Sequence, residues 1–331
     1  MQIESSDRVW RRGDVARLIR LFSMGATAVY VPLGMATSGA RPTWWVVAVA
    51  VVLGVSFHLF AFPLNDVVDL PIDRTNARRA TDPLVRGLVP AGTMLVVAVV
   101  QLPVMAALLV LGAAPGPAIA AWLAAVAGLG IYDLWGKRTP VPVVSDVIQG
   151  VGFAALVVAG ALWAAEPTPV TWLGAAYVVV YIVQINAVHG GLRDLENDLA
   201  HGARTTPILL GCRADAAGAV RISPAMLVLA LATEFAMIGM LIGVVVVSDS
   251  AGLAATAIVG LIAKLVGSYF GWRAYRAVAD RPRMMGLAVW NLFWTLIAIV
   301  ISPLGGTSFG LAALTTLVFV LPPWYFGRLT S

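Results

Sequence analysis

Of 331 residues, 60% are hydrophobic and only 12% charged, a balance that excludes an ordinary water-soluble domain and indicates a polytopic membrane protein. The net charge of +5 is not gathered into a basic and aromatic patch. It therefore implies lipid headgroups, not nucleic acid, as the partner. A single cysteine, Cys212, excludes an intrachain disulfide framework or a multi-cysteine metal site.

Segment 1–18 is rich in arginine and reads as an amphipathic cytoplasmic helix lying along the headgroups rather than as a cleaved signal peptide. Ten apolar runs follow, at 19–39, 43–64, 91–112, 115–134, 143–165, 168–190, 224–247, 251–271, 284–302 and 306–327. Each is near the about 17 to 25 residues that a helix needs to cross the hydrocarbon. Continuous runs of this length do not fit the short alternating segments of a barrel. The expected fold class is therefore all-α, a membrane helical bundle read as one domain over 1–331, with 306–327 as an additional transmembrane helix. Lys and Arg crowd the loops after every even-numbered run, from Arg74 to Arg86, at Lys137 and Arg138, and from Arg193 to Arg221. Positive charge is retained on the cytoplasmic side. The amino terminus and these loops are thus expected to face the cytoplasm, from a cell inner membrane.

The second run ends in "NDVVDLPID", Asn65 to Asp73, where Asp66, Asp69 and Asp73 stand three and four apart. On a continuing helix they share one face and repel one another. Hard oxygen donors in this arrangement suit Mg²⁺, which keeps waters and is shared with substrate phosphates. Asn65 adds a neutral amide, and Pro71 is expected to kink or break the helix between Asp69 and Asp73. The sixth run ends in "RDLENDLAHGARTTP", where Asp194 and Asp198 form an i, i+4 pair framed by Arg193 and Arg204. Acids hold a cation and arginines meet phosphate oxygens, so the two clusters together point to a metal–diphosphate complex. Alone, an acidic pair at a helix end is a commonplace of solvated loops.

These residues resemble the UbiA superfamily of intramembrane prenyltransferases, with motifs N-D-x-x-D-x-x-x-D after the second helix and D-x-x-x-D after the sixth. Asn65, Asp66, Asp69 and Asp73 match the first, and Asp194 and Asp198 the second. "HGARTTP", His201 to Pro207, is similar to the stretch that follows the second motif. The resemblance implies a nine-helix core with a cavity opening near the cytoplasmic face. It also implies two Mg²⁺ held by the five aspartates, loss of diphosphate from a prenyl diphosphate, and capture of the allylic cation by a small-molecule acceptor, commonly aromatic. Three departures stand out. Asp82-Pro83 replaces the family's Arg-Pro, so Arg78, Arg79 or Arg86 is expected to compensate. The tyrosine-to-lysine element, Tyr132 and Lys137, is one residue longer than its shortest form. The run 306–327 exceeds the nine-helix core.

Ionisable groups inside apolar runs are costly and are functional candidates. His58 shares a face with Asn65 and Asp69 and would line the acceptor pocket or bond a backbone carbonyl. Asn186, His189 and Arg193 form a stripe expected to face the cavity. Asp146 and Gln149 would extend the polar floor, or Asp146 would cap its helix. Glu234 and Lys264 are expected to pair structurally. Gln101, Gln184 and Asn291 are expected to bond neighbouring backbone.

The sequence thus indicates a Mg²⁺-dependent prenyltransferase, with Arg78, Lys137, Arg193 and Arg204 neutralising the diphosphate. Two rivals remain open. A cyclase would use the same metal site without an acceptor, and a transporter would place carboxylates among helices, usually near the bilayer midplane.

Overall fold

The computed structural model describes residues 9–76, 79–135, 139, 141–214, 219–308, 311, 313 and 315–316. Most of the run 306–327 lies outside them. Two compact units divide the chain, Met1–Pro32 with Pro42–Ala114 and Ala313–Ser331, and Leu33–Arg41 with Pro115–Ala312.

In chain order the helices are α1 (Asp14–Leu18), α2 (Leu21–Ala28), α3 (Tyr30–Thr37), α4 (Trp44–Asp73), α5 (Ala91–Leu111), α6 (Gly116–Trp135), α7 (Pro142–Ala164) and α8 (Pro169–Val183). A π-helical segment, Gln184–Gly190, leads without a break into α9 (Gly191–Ala200). Then come α10 (Thr206–Leu209), a two-stranded antiparallel hairpin of β1 (Arg213–Ala214) and β2 (Val220–Arg221), α11 (Pro224–Val247), α12 (Ala251–Arg276) and α13 (Arg281–Ile301). Among the described residues, eight helices are long and apolar enough to cross a membrane, and α8, the π-segment and α9 form one of them, Pro169–Ala200. The first expected run is instead two short helices, α2 and α3.

Local chemistry explains the helix starts. Thr43, Thr168, Ser223 and Ser250 each accept a hydrogen bond from a backbone N–H in the first turn, and α7, α8, α10, α11 and α13 carry proline there. That placement satisfies or removes donors that lack an intrahelical partner. The expected break at Pro71 does not occur, and α4 runs on to Asp73 with the Arg74 N–H bonded to the Leu70 carbonyl at 3.1 Å. Pro71 lies in the last turn, where losing one bond disturbs little downstream. At 1.5 Å per residue α4 is about 45 Å long, so about ten residues exceed a hydrocarbon slab of about 30 Å. The polar end, from Asn65 on, is the part suited to emerge.

Packing is inverted relative to a soluble protein. On α12 the buried positions include Ala257, Gly260, Ala263, Gly267, Gly271 and Ala274, while Ile258, Val259, Ile262 and Leu265 are exposed. Small residues facing inward let backbones approach, and large apolar ones meet lipid. Backbones approach closely at particular glycines: a Cβ on Gly34 would come within 1.9 Å of the Val157 carbonyl oxygen, and one on Gly54 within 2.7 Å of the Ala28 backbone. Gly34→Ala and Gly54→Ala should each destabilise the protein by about 1–3 kcal/mol, as overpacking does. Gly92→Ala, with nothing within 4 Å of the new methyl, should be neutral or slightly stabilising. Thermal unfolding in detergent checks the contrast, and equal behaviour of all three would refute the close-packing account.

Candidate active site

In the first unit, α4 carries Asp66, Asp69 and Asp73 in one row, with Asp66 half-buried and Asp69 and Asp73 buried. The apolar side of the same turns seats Leu70, with Val67, against Leu84 and Met94. That contact fixes the rotation of the helix end. Asp66 is gripped by Arg20, whose Nε lies 3.3 Å from Oδ2 while Nη2 bonds Oδ1. Arg20 also lies over the Phe62 ring at 5.2 Å. It adopts a left-handed backbone, φ 47°, uncommon for a residue with a side chain. The sequence carries no sign of this contact, because the 46 positions separating Arg20 from Asp66 leave no local signature.

Of the arginines expected to compensate for Asp82, Arg79 and Arg86 have carboxylate partners. Arg79 reaches Asp82 at 2.9 Å and Asp73 at 3.8 Å. Burial disfavours its cation, but Asp73, then Asp82 and the more distant Asp66, hold its pKa above the ordinary arginine value. Arg86 is buried against Asp14 at 2.9 Å and donates to the Val9 carbonyl at 2.7 Å. Segment 9–18 is therefore tied into its unit through a buried Asp14. Arg78 lies outside the described residues. His58 is fully buried, with Nδ1 at 3.1 Å from Thr27 Oγ1 and Nε2 at 2.9 Å from the Ile19 carbonyl. Of its two expected placements, the structure shows the backbone-bonded one.

In the second unit, α9 is amphipathic. Leu192 and Leu195 enter a core with Cys212, Met226, Ala274 and Met284, whereas Arg193, Asp194 and Asp198 are half-buried. Arg193 clasps Asp194, with Nε at 3.0 Å from Oδ1 and Nη2 at 2.6 Å from Oδ2. From the start of α13, Arg281 bonds Glu196 at 2.6 Å and the Arg193 carbonyl. A Cβ on Gly191 would meet Pro207 at 2.6 Å, so the "TTP" stretch packs directly under α9. Thr206 donates to Asp146 at 3.4 Å. Asp146 is thus a partner of this stretch and not a helix cap, since α7 has no side-chain cap. Arg204 is exposed, and Lys137 lies outside the described residues.

The expected stripe of Asn186, His189 and Arg193 is divided. Asn186 bonds Gln149 on α7, His189 lies 2.8 Å from Asn291 on α13, and Arg193 turns to its neighbour Asp194. The cause is the π-segment, which widens the turn and shifts residues off the spacing of an α-helix. No sequence pattern announced it. Glu234 and Lys264 do pair. Gln101 bonds the Val97 carbonyl and Asn291 the Gly267 carbonyl, whereas Gln184 donates to Glu234.

Among the described residues, no three His, Cys, Asp or Glu side chains are grouped to hold a metal ion by themselves. The end of α4 instead presents three aspartates and that of α9 two, beside arginines. That donor set fits Mg²⁺, whose remaining positions are filled by water and phosphate oxygens.

Known proteins share this architecture. A model of the UbiA prenyltransferase family matches residues 26–292. Digeranylgeranylglyceryl phosphate synthase of Pyrococcus abyssi (strain GE5 / Orsay) is 30% identical over 159 residues, 45% of this chain and 51% of the relative. The chain thus spans about half the length of that curated relative. Among solved structures, the apo form of a UbiA homolog from Aeropyrum pernix K1 superposes with a TM-score of 0.64 at 19% identity, covering 83% of this chain and 94% of that one. A UbiA homolog from Archaeoglobus fulgidus bound to GPP and Mg²⁺ gives 0.61 at 14% identity, covering 87% and 99%. Such identities speak for the fold. The family model, spanning most of the chain and both acidic motifs, gives the assignment: this is an integral-membrane protein that belongs to the UbiA prenyltransferase family.

Proposed function

We propose that the protein is a Mg²⁺-dependent intramembrane prenyltransferase that moves an isoprenoid group from a prenyl diphosphate to a small-molecule, aromatic acceptor. The observation that carries this reading is the pair of acidic motifs at the ends of long apolar helices, each with its own arginine clasp. The ligands named for the A. fulgidus homologs, GPP or DMAPP with Mg²⁺, support it. The name of the P. abyssi relative brings a glyceryl phosphate into the acceptor panel as well.

In this reading the whole chain acts as one domain. Asp66, Asp69, Asp73, Asp194 and Asp198 hold two Mg²⁺, and Asn65, Arg78, Lys137, Arg193 and Arg204 bind diphosphate oxygens. Mg²⁺, when bound, offsets the charge of the departing diphosphate. Arg20 and Arg79 hold Asp66 and Asp73 in place until substrate arrives. The apolar helices surround the isoprenoid chain and keep water from quenching the allylic cation. The site opens toward the cytoplasmic face of a cell inner membrane, as the placement of basic loops suggests.

Asp69→Ala and Asp194→Ala should each lower turnover by at least about 100-fold with unfolding temperatures close to wild type. Product analysis by mass spectrometry alongside thermal unfolding checks this, and full activity in a folded variant would remove that residue from the mechanism. Chelation with EDTA should stop diphosphate release, and added Mg²⁺ should restore it. Turnover that survives chelation would contradict metal dependence.

A further inference from the structure

A second cluster of ionisable groups lies away from the acidic motifs, where α11, α12 and α13 meet the π-segment of the same unit. At its centre the Glu234 carboxylate, 4% exposed, accepts four hydrogen bonds. Oε1 takes them from Gln184 Nε2 at 2.6 Å and Asn291 Nδ2 at 2.9 Å. Oε2 takes them from Lys264 Nζ and from Ser268 Oγ at 2.7 Å. Asn291 Nδ2 also donates to the Gly267 carbonyl at 2.8 Å, so its Oδ1 is left to accept from His189 Nε2 at 2.8 Å. The partners fix the His189 tautomer as the one protonated at Nε2. His189 also stacks on Tyr275, with ring centroids 5.7 Å apart. α12 makes room with glycine: a Cβ on Gly271 would come within 2.7 Å of Glu234 Oε1 and 2.8 Å of Asn291 Nδ2.

Stability alone gives little reason for such a cluster. Charges are expensive among apolar helices, and a buried ion pair is often replaced by packed hydrophobic residues with no loss of stability. What the cluster grips is informative. Gln184 and His189 are buried side chains near the two ends of the π-segment, and both terminate on it. A π-turn is a rare and local departure from the α-helix. One residue more or less rotates everything beyond it by about 100°. What lies beyond it is α9, with Arg193, Asp194 and Asp198.

We propose that Glu234, Lys264 and Asn291 are positioning residues that hold the π-turn through Gln184 and His189 and so set the direction in which Asp194 and Asp198 face the Mg²⁺–diphosphate. The proposal rests on the prenyltransferase reading above. It assigns the buried polar cluster a task that a hydrophobic core of equal stability would not perform.

The test uses the full-length protein in detergent and the binding of geranyl thiolodiphosphate, an unreactive prenyl diphosphate analogue, across a Mg²⁺ titration followed by calorimetry. Three variants are compared. Gln184→Leu cuts one of the two links to the π-turn but leaves the ion pair. Gly271→Ala removes no polar group but crowds Glu234 and Asn291. Glu234→Gln with Lys264→Met removes both charges together. Folded variants should need at least fivefold more Mg²⁺ for half-saturation, with a matching rise in KM for geranyl diphosphate. An unchanged Mg²⁺ half-saturation and KM, with only the yield of folded protein reduced, would overturn the positioning role and leave the cluster as scaffold. If the double variant does not fold, Gly271→Ala and Gln184→Leu carry the comparison. Folded wild-type protein that binds no analogue at any Mg²⁺ concentration would overturn the prenyltransferase reading itself, an outcome distinct from wild-type binding that the variants merely match.

Discussion

Carboxylates stacked three and four apart on one helix repel one another, and the ends of α4 and α9 are organised around containing that repulsion. Asp66 is met by Arg20, Asp73 by Arg79 and Asp194 by Arg193. Each guanidinium sets an opposite charge beside an acid at the end of an apolar helix. The polar ends are therefore held by ion pairs before any ligand arrives, as the proposed metal–phosphate site would require.

Much of this was legible in the chain. Runs of apolar residues marked the long helices because a bilayer leaves the backbone no other partner than itself. The spacing of Asp66, Asp69 and Asp73 marked a shared face because α4 continues through them. The cost of isolated charges marked Glu234 and Lys264 as a pair. What stayed hidden depends on distance or on subtle backbone choice. Arg20 meets Asp66 only through tertiary structure, and the π-turn at Gln184–Gly190 has no compositional signature. Pro71 misled because proline's effect depends on where in the helix it falls, a fact that residue type does not carry.

The same inversion of packing links fold and site. Glycines and alanines inside α12 let it come close enough to α11 and α13 for Lys264 to reach Glu234 and for Asn291 to reach both Glu234 and His189. The small residues that serve helix association in lipid thus also leave space for the buried polar cluster that meets the π-segment before α9. Arg281 and Pro207 hold α9 from other sides.

The most direct measurement is diphosphate release by the detergent-purified protein in Mg²⁺, offered geranyl, farnesyl and geranylgeranyl diphosphates in turn, with and without a panel of aromatic and glyceryl phosphate acceptors. Release that depends on Mg²⁺ and on an acceptor, with the prenylated acceptor seen by mass spectrometry, is the predicted result. Release giving a cyclised product without acceptor would replace the transferase by a cyclase, and silence with every donor and acceptor would contradict the account.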